Sequence, residues 1–218
     1  MTPKVRRTQE QRRTEAESRL LDAARTIVAR TGWAGMTLAE VGATAGYSRS
    51  LAAHHFGTKS NLLRALTAHI GRTFLSSFSA TLESGEGFPA ILRFIEAYLG
   101  RRETQWTNTR ALLILMAEGT TDNSDGAAVL SAYNKRSFEY LRLLFEKGVS
   151  NGEIRKDIDA SAAAVLLLGS LRGIMLQSLQ KESVVNLSKV RQETVSSFIR
   201  AFAARPEPWL TPRSRRRS

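Results

Sequence analysis

The sequence predicts an all-α fold of about nine helices, and three observations support this. Apolar residues recur at helical spacing along most of the 218 residues, whereas no run alternates apolar and polar residues as a strand would. Glycine, Asn-Gly and the capping residues Thr, Ser, Asp punctuate the chain at intervals that suit helices. Because 42% of the residues are hydrophobic, the chain can bury a substantial core.

The first long helix is predicted to begin at Thr14, where Thr14 and Glu17 form a capping box, and to end at Gly32. Before it, residues 1–13 contain five basic residues and one acidic residue, a net charge of +4. We expect this segment to be a basic flexible arm, which suits contact with a polyanion.

Two short helices and a longer one are predicted next. The first runs from its cap Thr37 to Gly46, and the second from its cap Ser48 to about Phe56. Thr58 then caps a fourth helix. Two short helices joined by a glycine-containing turn and braced by a longer helix are typical of a helix-turn-helix, although such helices also occur in plain helical cores.

Five further helices follow in the prediction. Their predicted limits are Pro89 as a first residue, Thr107 to Gly119, an end at Ser150, a cap at Asp159 with an end near Lys181, and a last helix closed by Pro206. The chain is therefore predicted to have four parts: the arm 1–13, a DNA-binding domain 14–60, a ligand-binding and dimerisation domain 61–205, and a basic disordered tail 206–218.

The charge and the residue types present narrow the function. The net charge of +12 is concentrated at the two ends of the chain, which favours a nucleic-acid partner. The chain has no cysteine, and its three histidines all precede residue 70 without metal-ligand spacing. We therefore expect no enzyme activity, no metal and no cofactor. The N-terminus has no apolar leader segment, so a cytoplasmic protein is expected.

The stretch from Met36 to Leu63, MTLAEVGATAGYSRSLAAHHFGTKSNLL, resembles the DNA-binding signature of the tetracycline-repressor (TetR) family. The family pattern keeps a threonine, an alanine-glycine pair, a serine, a histidine-phenylalanine pair, a lysine and a leucine in this register. Many members carry a tyrosine at the position of His54. The segment from Gly152 to Asp159 and the Leu171-Arg-Gly173 run are also similar to the family, so the resemblance covers about residues 14–205.

Spacing on the third helix predicts which residues face outward. Ala52 and Phe56 lie one turn apart and are apolar, so their side is expected to face the core. Ser50 and His54 then point away, and arginine, serine and small apolar side chains can contact base edges in a major groove. The predicted DNA-binding residues are Thr37, Ser48, Arg49, Ser50, Leu51, Ala53, His54, His55 and Lys59, with Arg6, Arg7, Arg12 and Arg13 in the arm.

Thr37, Ser48 and Lys59 lie at or beside predicted helix starts, which suits contact with phosphate. The resemblance implies backbone contacts for Thr37, His55 and Lys59. Simple alternatives remain open at this point: capping for Thr37 and Ser48, packing for Leu51, surface imidazoles for both histidines, and a solvated tail for the arm.

The C-terminal half contains inward-facing aromatic residues and methionines. The resemblance implies that they enclose a small molecule, and the predicted ligand-binding residues are Phe94, Tyr98, Trp106, Met116, Tyr133, Phe138 and Met175. The alternative is a plain core. Gly169 and Gly173, four residues apart on the most apolar helix, would let a partner helix approach closely.

We therefore predict a homodimeric transcriptional regulator, a repressor in the main hypothesis. It would bind a pseudo-palindromic DNA operator and be released by an apolar or aromatic small-molecule effector. Two alternatives are a DNA-binding regulator without a small-molecule effector and a helical interaction protein.

Overall fold

The computed structural model describes residues 8–76, 85–100, 106–120 and 127–210. Within these ranges the protein has ten helices and one isolated antiparallel bridge between Ile154 and Ala203, which confirms the all-α prediction. The helices are α1 (Gln9–Thr31), α2 (Leu38–Thr44), α3 (Leu51–Phe56), α4 (Lys59–Ser76), α5 (Gly87–Leu99), α6 (Trp106–Glu118), α7 (Ala127–Ser150), α8 (Ala160–Ser178), α9 (Leu187–Phe202) and α10 (Glu207–Leu210).

Helix α1 begins earlier than predicted. Thr8 is its N-cap: the Thr8 hydroxyl accepts from the Gln11 amide at 3.2 Å, and the Gln11 side chain accepts from the Thr8 amide at 3.0 Å. The expected start at Thr14 is wrong, because the Thr14 hydroxyl donates to the Glu10 carbonyl inside the helix. Residues 9–13 are therefore helical and not an irregular arm.

The chain divides into two compact units. The first comprises residues 1–73 and 107–131, and the second comprises residues 74–106 and 132–218. The expected division after residue 60 therefore differs from the observed one, since most of α6 belongs with α1. Two hydrogen bonds hold α6 there: Arg25 Nη1 donates to Asn108 Oδ1 at 2.9 Å, and the Trp33 amide donates to Glu118 Oε1 at 3.0 Å.

The first unit has a continuous apolar core. Its helices contribute the side chains that the helical spacing placed on one face, and burial of this surface is the main source of stability. The buried members are Leu20, Leu21, Ala24, Ile27 and Val28 of α1, Met36, Val41 of α2, Ala52 and Phe56 of α3, Leu62, Leu63, Leu66 and Ile70 of α4, and Ala111, Leu112 and Leu115 of α6.

In the second unit, α5 packs against α8 and α9. Helix α5 begins at Gly87, so Pro89 is its third residue and not its first. The carboxylate of Glu153 accepts a 2.9 Å hydrogen bond from the Phe88 amide, which satisfies a first-turn donor that no local side chain caps. This long-range cap explains why the helix extends beyond the proline.

The C-terminal part of the described chain is also more ordered than predicted. Residues 207–210 form α10, and the Trp209 ring lies 5.3 Å from the Phe88 ring in an edge-on arrangement. The expected disordered tail is therefore wrong at these residues, because the indole packs on the core of the unit. The remainder of the predicted tail, residues 211–218, lies outside the described residues.

Helix α8 begins at the predicted cap, since Asp159 Oδ1 accepts from the amides of Ser161 and Ala162. It ends at Ser178, three residues before the predicted Lys181. Among the described residues it is the one helix long and apolar enough to cross a membrane by composition. One face of it is buried in the second unit, as in a core helix of a soluble protein; its buried residues are Ala163, Ala164, Leu167, Leu168, Leu171 and Met175.

Candidate nucleic-acid interface

The turn between α2 and α3 depends on a close approach at Gly42. A Cβ atom added to Gly42 would lie 2.5 Å from the Ser48 carbonyl oxygen, and the Tyr47 amide donates to the Gly42 carbonyl at 3.0 Å. Gly46 has a φ of +78°, in the left-handed region that favours glycine. These contacts set the position of α3 relative to α2.

Helix α3 has one buried side and one exposed side, as its sequence predicted. Ala52 is 0% exposed and Phe56 is 8% exposed, so both side chains belong to the core of the first unit. The opposite side contains Arg49, Ser50, Ala53 and His54, which are all exposed. We call these four residues the recognition face.

The start of α3 differs from the prediction. Ser48 does not cap the helix, because Leu51 is its first residue and Ser50 occupies the cap position without a side-chain bond to a backbone amide. Instead the Leu51 amide donates to the Ser48 carbonyl at 3.1 Å, and the hydroxyls of Ser48 and Ser50 lie 3.3 Å apart. Both hydroxyls are therefore exposed beside the recognition face.

His55 differs from His54 in its surroundings. Its Nε2 lies 3.3 Å from Glu17 Oε2 of α1, its ring meets Phe56 edge-on at 4.7 Å, and its side chain is 12% exposed. This imidazole therefore connects α3 to α1 and presents little surface to a partner. Leu51, beside it, is half-buried. Their predicted DNA contacts stay predictions.

Lys59 and Thr37 lie at two helix starts. Thr37 is the N-cap of α2, with its hydroxyl accepting from the Glu40 amide at 3.1 Å, so its capping role is confirmed. Lys59 Nζ donates to the Ala34 carbonyl at 2.9 Å and lies 5.0 Å from the centroid of the Trp33 ring. Sequence spacing gave no signal for this cation–π contact.

The predicted basic arm is only partly described. Arg12 and Arg13 lie on the first turns of α1 and are exposed. Arg6 and Arg7 lie outside the described residues. The described basic side chains at this end therefore extend from a helix and have a fixed backbone geometry.

Comparison with known proteins identifies the family. The model for the family "Bacterial regulatory proteins, tetR family" matches residues 20–66, which include α2, α3 and the turn between them. The HTH-type transcriptional regulator CymR of Pseudomonas putida is 45% identical over 198 residues, which cover 89% of this chain and 94% of that protein. The chain belongs to the TetR family. It is a DNA-binding transcriptional regulator and not an enzyme.

Solved structures of this TetR fold extend over nearly the whole chain. A TetR transcriptional regulator of Chloroflexus aurantiacus has a TM-score of 0.77 at 19% identity, covering 88% of this chain and 98% of its own. A Saccharomonospora viridis chain described as a transcriptional regulator, solved with choline, has a TM-score of 0.75 at 22% identity, covering 88% and 100%. At these identities the likeness shows the fold alone.

The predicted ligand-binding residues of this TetR-family regulator fall in both units. Phe94, Tyr98, Trp106, Tyr133, Phe138 and Met175 belong to the second unit, whereas Met116 belongs to the first. Phe94, Tyr98 and Met175 are buried, and the Phe94 and Tyr98 rings lie 5.8 Å apart. The remaining four are half-buried. Their role in ligand binding stays a prediction.

Sequence reasoning missed a charged residue in this second unit. Arg172 of α8 donates from Nη1 to Asn134 Oδ1 of α7 at 2.6 Å. Burial lowers the pKa of the Arg172 guanidinium, while its hydrogen bond to Tyr98 and the nearby Tyr133 oppose that shift. The available signal was one arginine inside the most apolar helix of the chain.

Proposed function

We propose that the protein is a homodimeric repressor that binds a pseudo-palindromic operator and is released by a small-molecule effector. The observation that carries this proposal is the recognition face on α3 of a TetR-family chain. Arg49, Ser50, Ala53 and His54 are exposed there, while Ala52 and Phe56 fix the other side of the helix in the core.

The recognition face has the chemistry needed to distinguish base pairs in a major groove. Arg49 can donate two hydrogen bonds to a guanine, Ser50 and His54 can exchange one with either kind of base, and Ala53 can contact a thymine methyl. Ser48 lies beside this set. His55 would act mainly by holding α3 against Glu17 of α1.

Phosphate contacts would come from the residues around the recognition face. Thr37 lies at the start of α2, where backbone amides attract an anion, and Lys59 lies at the start of α4. Arg12 and Arg13 extend the basic surface along α1. We propose that Arg6 and Arg7, which precede that helix, add contacts to phosphate or the minor groove.

An exposed apolar face on α8 supports the homodimer. Val165, Leu166 and Leu176 are between 53% and 60% exposed, and a Cβ atom added at Gly169 or Gly173 would meet no atom within 4 Å. A contiguous apolar face with small residues is suited to close approach of another helix. A second copy of α8 would cover it, and the resulting two-fold symmetry would place two recognition faces on two operator halves.

Helix α9, in contrast, is already largely occupied within its own chain. Phe198, Ile199 and Phe202 are buried, and Leu187 and Val190 are half-buried. In the proposed dimer, α8 would therefore supply most of the apolar contact, and α9 would contribute its exposed polar side.

The effector would bind among the aromatic side chains of the second unit. Its preference for one of two conformations would set how far it can lower operator affinity. A regulator with a filled core and no effector is the second candidate, favoured by the low exposure of Phe94, Tyr98 and Met175.

Selection of genomic DNA fragments by the purified protein at about 150 mM salt tests the proposal, because nonspecific phosphate binding weakens steeply with salt. The expected result is enrichment of an inverted repeat bound by two chains and released by a compound that raises the melting temperature. No enriched sequence, or tight binding of one chain to a half-site, would overturn it. Operator binding unaffected by every stabilising compound would favour the second candidate.

A further inference from the structure

Arg172 is a positively charged group placed in the interior of the second unit. It follows Leu171, which is 0% exposed, on the most apolar helix of the chain. Its guanidinium donates to Asn134 Oδ1 at 2.6 Å and to the hydroxyl of Tyr98, a residue that is 2% exposed. The charged group is therefore held between α5, α7 and α8.

The partners of this guanidinium are all neutral. Other arginines of the unit pair with carboxylates: Arg142 contacts Glu139, and Arg200 contacts Glu193 at 2.6 Å. In the ranges that the structure describes, Arg172 has only amide and phenol oxygens around it, from Asn134, Tyr98 and Tyr133. A buried charge without a counter-charge destabilises a fold, so its presence calls for a functional reason.

We propose that Arg172 binds the carboxylate of a small apolar acid, with the Tyr98 and Tyr133 rings against its apolar body. The proposal rests on the proposed function, because this acid would be the effector. A guanidinium matches a carboxylate through two parallel hydrogen bonds, which an amide cannot reproduce with the same strength. One carboxylate also supplies the single negative charge that this site lacks, whereas a phosphate dianion would leave excess negative charge.

A second interior donor in the same unit supports an oxygen-bearing ligand. Trp106 Nε1 is buried and has no hydrogen-bond partner among the described residues. Buried indole N–H groups usually have an acceptor, so a ligand oxygen or water would satisfy this one. Trp106 is among the residues predicted from sequence to contact the effector.

The Arg172→Met variant tests the proposal without any ligand. Removing an uncompensated buried charge should leave the melting temperature of the apo protein unchanged or raise it, with the dimer intact. A fall of about 4 °C or more would indicate a structural ion pair instead. Dissociation of the dimer would indicate that Arg172 pairs with the second copy. Either result would overturn the proposal.

Ligand binding is then measured by calorimetry with benzoate, phenylacetate and 2-naphthoate, each beside its neutral amide, and with phenyl phosphate. At least one carboxylate should bind about tenfold or more tightly than its amide, and Arg172→Met should abolish that difference. Arg172→Lys should retain part of it, and the exposed control Arg200→Met should retain all of it. If no carboxylate exceeds its amide, or if phenyl phosphate binds best, the proposal is wrong.

The same variants separate this proposal from the proposed function. Release of the selected operator by neutral compounds alone would reject the carboxylate site while the repressor hypothesis stands. Carboxylate binding that requires Arg172, in a protein that selects no operator, would support the site and reject the repressor hypothesis.

Discussion

The carboxylate of Glu118, the last residue of α6, accepts a 3.0 Å hydrogen bond from the backbone amide of Trp33 in the segment between α1 and α2. The Trp33 ring in turn lies 5.0 Å from Lys59 Nζ, which donates to the Ala34 carbonyl. One acidic side chain of α6 therefore helps to hold the segment that positions Lys59. Glu118 and Trp33 are positioning residues for a predicted phosphate contact.

Replacing Glu118 with alanine should destabilise the first unit and weaken operator binding. The Trp33 amide would lose a charged acceptor, an effect of about 1.5–3 kcal/mol for a part-buried bond. Glu118→Gln keeps an acceptor oxygen and should lose less. Thermal unfolding and operator affinity measured on both variants check this, and equal loss in the two would contradict a hydrogen-bonding role.

Gly42→Ala should disrupt the helix-turn-helix. The added methyl would lie 2.5 Å from the Ser48 carbonyl oxygen, so α3 would have to shift relative to α2. Overpacking of this kind destabilises by about 1–3 kcal/mol. Gly35→Ala is the matched control, because no atom lies within 4 Å of its added Cβ. Loss of operator binding in the Gly42 variant alone, with the second unit folded by circular dichroism, is the expected outcome.

Arg49→Ala and His54→Ala should reduce specificity more than general DNA affinity. Each lost base contact should cost about 1–3 kcal/mol on the operator and little on unrelated DNA. Arg64→Ala, an exposed change on α4 away from the recognition face, serves as the control. Fluorescence anisotropy on operator and scrambled duplexes gives the ratio, and equal losses on both duplexes would show that these side chains contact only phosphate.

Leu166→Glu should convert the dimer to a folded monomer. Leu166 is 54% exposed on the apolar face of α8, so a carboxylate is tolerated in one chain and is costly in a buried helix pair. Val184→Glu, at a residue that is 98% exposed, is the control. Light scattering reports the mass of each variant, and a Leu166→Glu protein that stays dimeric would place the interface elsewhere.

Much of the fold could be predicted from local sequence because its determinants are local. The cap at Asp159 and the turn at Gly152 depend on residues within one helical turn, and both are observed. The inward side of α3 depends on the four-residue spacing of Ala52 and Phe56. The start of α1 was ambiguous because Thr8 and Thr14 both begin a capping pattern, and the helix uses the earlier one.

The parts that sequence could not predict depend on residues far apart in the chain. Glu118 meets Trp33, Glu153 caps the helix at Phe88, and Arg172 meets Asn134. No local spacing brings such pairs together, so the assignment of α6 to the first unit and the neutral surroundings of Arg172 emerge only in three dimensions. His55 illustrates the same limit, because its partner Glu17 lies on another helix.

The most direct test of the central claim is a footprint of the wild-type protein and Arg49→Ala on the DNA site selected from genomic fragments. The account predicts two protected halves of an inverted repeat, with centres one helical turn (about 34 Å) or a multiple of it apart, and loss of this protection in Arg49→Ala. Unchanged protection in Arg49→Ala, or salt-sensitive binding with no preferred sequence, would contradict it.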